Sequence, residues 1–212
     1  QVKAAGTPYT LTQRTFDDRG RVTCEARRMN SAAFSSLPAD ACTLGSAGSF
    51  GDDRITRNIY DNASQVLQVQ RAVGTSIQQN YATYTYTLNG KQQTVNDANG
   101  NLTTYEFDGF DRMSKWRFPV ATLGAGSSST TDYEQYGYDS VGNLTRKSDL
   151  SVDADTGYTY TGSYRLNRIN APGNATLDFG YDANGNVTVR TPTGTLAGAP
   201  RRLVIDYDVD NL

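Results

Sequence analysis

Along much of the chain, apolar or aromatic side chains alternate with polar ones. The alternation is clear in ATYTYTL (82–88), TTYEF (103–107), TGYTYTG (156–162) and ATLDFGY (175–181). A period of two puts every second side chain on the same face of a strand. The β-branched and aromatic residues that fill these positions suit a pleated surface. Asn-Gly at 89–90, 99–100 and 184–185 punctuates the pattern. It predicts tight hairpin turns with glycine at positive φ, and Gly20 and Gly142 take the same part elsewhere. The only hint of a helix is SAAFSSL (31–37), which is short. The fold class is therefore expected to be all-β: repeated hairpins forming a long, curved or spiralling antiparallel sheet.

The turns recur as a unit. An aromatic residue, usually followed by Asp, opens FDDRGRV (16–22), YDNASQV (60–66), YTLNGKQ (86–92), FDGFDRM (107–113), YDSVGNL (138–144), YTGSYRL (160–166) and YDANGNV (181–187). A copy without the aromatic, NDANGNL, spans 96–102, and Tyr207-Asp208 starts a last one. Several neighbours lie about 21 residues apart, and GNLT or GNVT recurs at 100, 142 and 185. A fixed period of this length marks a repeat architecture. The expected motif residues are Phe16, Asp17, Gly20, Tyr60, Asp61, Gly90, Gly100, Phe107, Asp108, Tyr138, Asp139, Gly142, Tyr160, Tyr181, Asp182, Gly185, Tyr207 and Asp208. Each Asp would accept backbone N–H bonds within its turn. Tyr60, Phe107, Tyr138, Tyr160 and Tyr181 would form an aromatic ladder on one face, and Gly90, Gly100, Gly142 and Gly185 would hold the turns. A lone hairpin cannot bury its apolar face, whereas an array pairing edge to edge can. That economy fits an apolar content of only 37%.

Composition narrows the chemistry. The chain has no histidine, which removes the Ser-His-Asp triad, the Cys-His dyad and histidine-ligated zinc. No catalytic residue, metal ligand or cofactor site is expected, and the chain is read as non-enzymatic. Asp155-Thr156-Gly157 matches the aspartic-protease triplet, but no second copy exists to share a proton, so it reads as a hairpin turn. Asp97, Asp139 and Asp182 lie in D-x-x-G-N turns whose glycine falls too early for a calcium loop, and Asp153-x-Asp155 is an incomplete candidate. The N-x-[ST] triplets at Asn101, Asn143 and Asn186 fall on the repeat turn and read as turn chemistry; a fourth begins at Asn174. Trp116 in KWRFP reads as packing on the buried face of a strand rather than as a sugar platform.

Lys plus Arg (20) nearly balance Asp plus Glu (22), for a net charge of −2. This gives no support to a nucleic-acid partner. No apolar run is long enough for a membrane helix, and residues 1–15 lack the basic start and apolar core of a signal peptide. Cys24 and Cys42 are the only cysteines. A bridge between them would close a short loop worth about 3 kcal/mol and would place the chain outside the cytoplasm. Two buried free thiols are an equally open reading.

The motifs YDNASQVL, TVNDANGNLTTYEFDGFDRMSKWRFP, YGYDSVGNLTRKSD and FGYDANGNVTVRTP resemble the YD-repeat, or RHS-repeat, proteins. The resemblance covers most of 14–30 and 55–212. It implies one repeat array over 1–212, with an inserted loop at 31–54 and a Gly/Ser-rich loop at 121–131, as a fragment of a longer protein. It implies a bacterial, secreted or cell-surface scaffold, a segment of a hollow shell that encloses or presents a C-terminal toxin or effector. Its partners would be the remainder of the shell and the enclosed domain. The alternative it implies is a cell-surface or wall-associated module that binds glycan or protein. The D-P-x-G self-cleavage segment of cargo-releasing relatives does not occur in these residues.

Overall fold

The computed structural model describes residues 2–4, 7–150, 153–193 and 203–204. Tyr207 and Asp208 lie outside the described residues. The strands are β1 (Val2–Ala4), β2 (Thr7–Phe16), β3 (Val22–Arg28), β4 (Arg54–Tyr60), β5 (Val66–Arg71), β6 (Gln79–Tyr86), β7 (Gln92–Asp97) and β8 (Leu102–Phe107). They continue with β9 (Met113–Pro119), β10 (Ser128–Tyr138), β11 (Leu144–Asp149), β12 (Ala154–Tyr160), β13 (Leu166–Ala171), β14 (Ala175–Tyr181), β15 (Val187–Thr193) and β16 (Leu203–Val204). The fold is all-β, and sheet order follows chain order. Most connections are short, so a strand's nearest partner is its sequence neighbour, running antiparallel, and β3 pairs with β4 in the same way across the longer 29–53 segment. The chain divides into two compact units, Gln1–Thr104 with Pro119–Ser128, and Tyr105–Phe118 with Ser129–Leu212. Among the described residues no helix is long and apolar enough to cross a membrane.

Some local expectations change. The helix hinted at over 31–37 is a single 3-10 turn, Ser31–Ala33, whose Ala32 N–H is accepted by the Asn30 side chain at 3.1 Å. Asp155-Thr156-Gly157 is not a turn but lies inside β12, where Asp155 pairs with Ser148 and Gly157 with Arg146. The alternation of TGYTYTG simply begins earlier. β10 starts at Ser128, within the segment expected to be loop, because Thr130 and Thr131 are β-branched and take up strand geometry.

The hairpin turns differ in type from the two-residue Asn-Gly form. That form needs positive φ at both central residues. Here Gly90, Gly100 and Gly185 have φ of +79°, +80° and +94°, while the asparagines before them do not have positive φ. The turn runs from the residue after the aromatic to the glycine: Gly20 N–H donates to Asp17 C=O at 2.9 Å, and Asp17 N–H donates to Arg21 C=O at 3.0 Å. This is a type I turn closed by a left-handed residue, the three-residue hairpin loop. The same left-handed position is filled without glycine by Ser64 (φ 67°), Asp111 (φ 60°) and Tyr164 (φ 61°). Each aromatic pairs across the hairpin with the first residue of the next strand, as in Tyr60↔Val66, Tyr160↔Leu166 and Tyr181↔Val187, with a register shift just before it.

The Asp97 turn joins β7 to β8, at the opposite end of β7 from the turn that follows Tyr86. Its GNLT therefore reports shared turn chemistry rather than a further unit in register.

The first unit carries the apolar core. Between β3 and β4 the chain forms a lobe over 29–53, and its Ala41 packs with Cys24, Ala26, Ile55 and Val73 in a buried cluster flanked by Cys42 and Leu44. Cys24 in β3 is bonded to Cys42 in the lobe. Arg28, at the end of β3, is 1% exposed, and its guanidinium meets Asp53 at 2.6 Å. The remaining donors are satisfied by Gln13 Oε1 and Thr43 C=O, and Asp53 also accepts from Met29 and Gly45 N–H. Such complete pairing is what makes a buried ion pair tolerable.

In the second unit Trp116 packs between Tyr105 and Phe118, with ring centroids 6.1 and 4.9 Å away. Lys115 and Arg117 alternate with it along β9 and pair with Glu106.

Candidate functional site along the turn edge

The repeated aromatic and aspartate residues converge on the hairpin turns. Five turns share one hydrogen-bond scheme. In the Asp97 turn, Oδ1 accepts from Asn99 N–H (2.8 Å) and Asn101 N–H (2.9 Å), while Oδ2 accepts from the Asn101 side-chain amide (2.9 Å). Asp139 repeats this with Val141 and Asn143, and Asp182 does so with Asn186. In the Asp17 and Asp108 turns an arginine, Arg21 or Arg112, replaces the asparagine and reaches Oδ2 through Nε at 2.7 Å. Asp61 keeps the backbone part, accepting from Gln65 N–H at 2.8 Å. The asparagines of the three turn N-x-[ST] triplets thus spend their amides inside the turn.

These bonds stabilise the ionised carboxylate. The Arg21 and Arg112 side chains hold Asp17 and Asp108 below the usual carboxylate range, and the backbone and side chain of Asn101 do the same for Asp97. Asp182 is lowered chiefly by the Asn186 amide. For Asp139 partial burial pushes upward, but the Asn143 bonds outweigh it and the carboxyl still lies low. A carboxylate held low and saturated with N–H donors is a poor general acid or base at neutral pH. The arrangement suits turn formation. Among the described residues no group of three or more acidic or cysteine side chains is placed to hold a metal ion.

The aromatics connect hairpins within each unit. The Tyr60 hydroxyl donates to Val22 C=O at 2.9 Å, and Tyr86 donates to Val66 C=O at 2.8 Å. In the second unit Tyr138 donates to Met113 C=O (2.9 Å), Tyr160 to Leu144 C=O (2.8 Å) and Tyr181 to Leu166 C=O (2.7 Å). The acceptor is always the residue that opens the second strand of another hairpin. Phe16 and Phe107, which have no hydroxyl to donate, occupy the first such position of each unit. The tyrosines are therefore linked through the backbone. The ring pairs among the described residues are those around Trp116.

One recurrent residue escaped the sequence reading. Arg21, Arg112 and Arg165 hold the same place after the aromatic, and each lies over the tyrosine of another hairpin: Arg21 on Tyr60 (4.6 Å), Arg112 on Tyr138 (4.6 Å) and Arg165 on Tyr181 (5.6 Å). Arg21 and Arg112 also donate to the carbonyl of the following Asp, Asp61 or Asp139. The signal was present in FDDRGR, FDGFDR and YTGSYR. The buried Arg28–Asp53 pair had no comparable signal, because its partners are far apart in sequence.

No family model and no curated protein matches this chain. Solved structures do. A crystal structure of TcdB2-TccC3-Cdc42 aligns over 92% of this chain and 12% of its own, at 16% identity and a TM-score of 0.63. A crystal structure of TcdB2-TccC3 aligns over 87% of this chain and 11% of its own, at 18% identity and a TM-score of 0.56. The Tc holotoxin pore of Photorhabdus luminescens aligns over the same shares, at 18% identity and a TM-score of 0.54. The chain thus spans about an eighth of these chains or less, and what it shares with them is the fold: an antiparallel sheet of consecutive hairpins.

Proposed function

We propose that this chain is a non-enzymatic scaffold, a segment of an RHS-repeat shell that encloses or presents a toxin or effector domain. The observation that carries the reading is the fold likeness to TcdB2-TccC3-Cdc42 over 92% of the chain. The turn edge supports it: the repeated aspartates and tyrosines bond protein groups, as a self-propagating array requires. The repeat array would run over 1–212, with the 29–53 lobe as an insertion held to the sheet. The partners would be the remaining repeats and the enclosed domain. The Cys24–Cys42 bond supports an oxidising, extracytoplasmic location.

The test is the intact mass of the parent protein, expressed from its complete reading frame and purified natively. Two or more polypeptides that co-purify and part only on denaturation are expected of a self-cleaved shell holding its cargo. A single uncut polypeptide with no enclosed domain moves the assignment to an adhesion or wall-associated scaffold.

A further inference from the structure

Two repeat turns carry threonine where the others carry aspartate: Thr87 in YTLNGKQ and Thr161 in YTGSYRL. The backbone of the Thr161 turn is unchanged. Tyr164 N–H donates to Thr161 C=O at 2.9 Å, and Thr161 N–H donates to Arg165 C=O at 2.8 Å. Arg165 also stands four residues on, as the arginine does in Asp17–Arg21 and Asp108–Arg112. The carboxylate that joins the two positions elsewhere is replaced by a hydroxyl.

That hydroxyl does little of the carboxylate's bonding. Thr161 Oγ1 accepts from Arg165 N–H at 3.2 Å and lies 3.0 Å from the Ser163 hydroxyl. The Asp17, Asp97, Asp108 and Asp139 carboxylates each accept from the N–H two residues on. At that place Ser163 N–H donates to no group among the described residues. Asp17 and Asp108 take both Nε and Nη2 of their arginines at 2.7 Å. Arg165 meets no carboxylate among the described residues, and its side chain donates only from Nη1, to Asp182 C=O at 3.4 Å. The equivalent bonds of Arg21 and Arg112 are 2.9 and 3.1 Å. Arg165 lies farther from its tyrosine too, 5.6 Å against 4.6 Å. It is thus placed but not clamped. Thr161 and Arg165 are half-buried, while Ser163 and Tyr164 are exposed, so solvent reaches the turn.

We infer that the 161–165 turn binds a carboxylate supplied from outside it, at the place that Asp17 and Asp108 fill in their own turns. The guanidinium fork matches a planar carboxylate, and the Ser163 N–H and hydroxyl complete the donor set. Two neighbouring aspartates set the charge that fits. Asp182 offers its carbonyl to Arg165, and Asp139 is the charge that, after burial, raises the Tyr160 hydroxyl. Both oppose a doubly charged sulfate or phosphate more than a singly charged carboxylate. The Thr87 turn has Lys91 at the arginine's place and so lacks the fork.

The experiment titrates sodium acetate into the nitrogen-labelled 212-residue chain at low ionic strength, followed by NMR, with sodium chloride, sodium sulfate and a blocked Gly-Asp-Gly peptide as parallel probes. Saturable shifts are expected at Ser163 N–H and Arg165 Nε–H, with a Kd on the order of 10 mM. Neither chloride nor the already paired Arg21 and Arg112 should respond. Arg165→Gln should weaken binding about tenfold or more. Thr161→Asp, which supplies the carboxylate internally, should abolish the acetate response, move Arg165 Nε–H towards the positions of Arg21 and Arg112, and raise Tm. The assignment is overturned by an absence of saturable shifts, by equal shifts at Arg21 and Arg112, by an acetate response that survives Thr161→Asp, or by sulfate binding more tightly than acetate. Peptide binding tighter than acetate would support the site with an acidic side chain of a polypeptide as its source. Equal or weaker peptide binding would support it with a small free carboxylate.

Discussion

Removing the hydroxyl of a repeat tyrosine tests how the hairpins are joined. In Tyr160→Phe the ring stays and only the bond to Leu144 C=O, 2.8 Å long, is lost. A net hydrogen bond in a half-buried site contributes about 1 kcal/mol. Tyr138 and Tyr181 make the same bond, at 2.9 and 2.7 Å. Successive tyrosines sit two strands apart, about 10 Å, which is the distance beyond which effects add. The triple Phe variant should therefore lose about 3 kcal/mol, a fall in Tm of roughly 6–12 °C for a chain of this size. Thermal and urea unfolding followed by circular dichroism would measure it. Alkaline pH supplies an independent arm. Burial first, and then the nearby carboxylates Asp108 and Asp139 respectively, raise the Tyr138 and Tyr160 hydroxyls above their ordinary pKa of 10.0. A group raised on folding gives stability that is complete below its unfolded pKa and is lost as pH climbs through the folded one. Wild-type stability should thus decline above about pH 10, and the Phe variants should decline less. Single variants that each lose under about 0.3 kcal/mol, together with an unchanged alkaline limb, would refute the linkage.

Four further outcomes follow from the same geometry. The aspartates at 17, 97, 108, 139 and 182 are all lowered on folding, so their stabilisation is present above the ordinary carboxylate pKa of 3.8 and is lost as pH falls below it. Acid titration of Tm should show this, with a shallower acid limb in Asp182→Asn. Gly185→Val should cost about 2 kcal/mol or more: φ is +94°, and an added Cβ would lie 2.8 Å from Arg165 Nη2. Soluble yield and Tm are the readouts. Tyr164→Gly, at φ 61°, should by contrast stabilise by about 1 kcal/mol in urea unfolding. Arg28→Met should cost about 3–5 kcal/mol, because it leaves the Asp53 carboxylate buried without its counter-charge. The joint variant Arg28→Met, Asp53→Leu should recover much of that loss.

The fold class and the turn positions could be read from the chain because they rest on local chemistry. Alternation with period two, a turn every strand length, and Asp two to four residues before the N–H groups it accepts are short-range facts. The strands ATLDFGY and TTYEF appear as β14 and β8 almost residue for residue. Turn type was less legible. Asn-Gly suits two loop forms, and the choice depends on which residues pair across the hairpin, as Tyr181↔Val187 shows. Ser64, Asp111 and Tyr164 at the left-handed position gave no composition signal, since the surrounding hydrogen bonds impose that conformation on residues that do not prefer it.

What only the tertiary structure decided is whatever joins residues far apart in sequence. The sequence alone determined an all-β chain of repeated hairpins, because neighbouring residues set strand periodicity and turn bonding. It left open whether Cys24 meets Cys42, whether the 29–53 segment is a loop or a packed lobe, and that Arg28 is sealed against Asp53. It likewise left open that Arg27 and Arg54 face each other across adjoining strands and that Arg71 lies opposite Thr56. Each depends on which strand lies beside which and on the register between them. Side-chain periodicity places a residue on a face, but only cross-strand pairing gives it a neighbour.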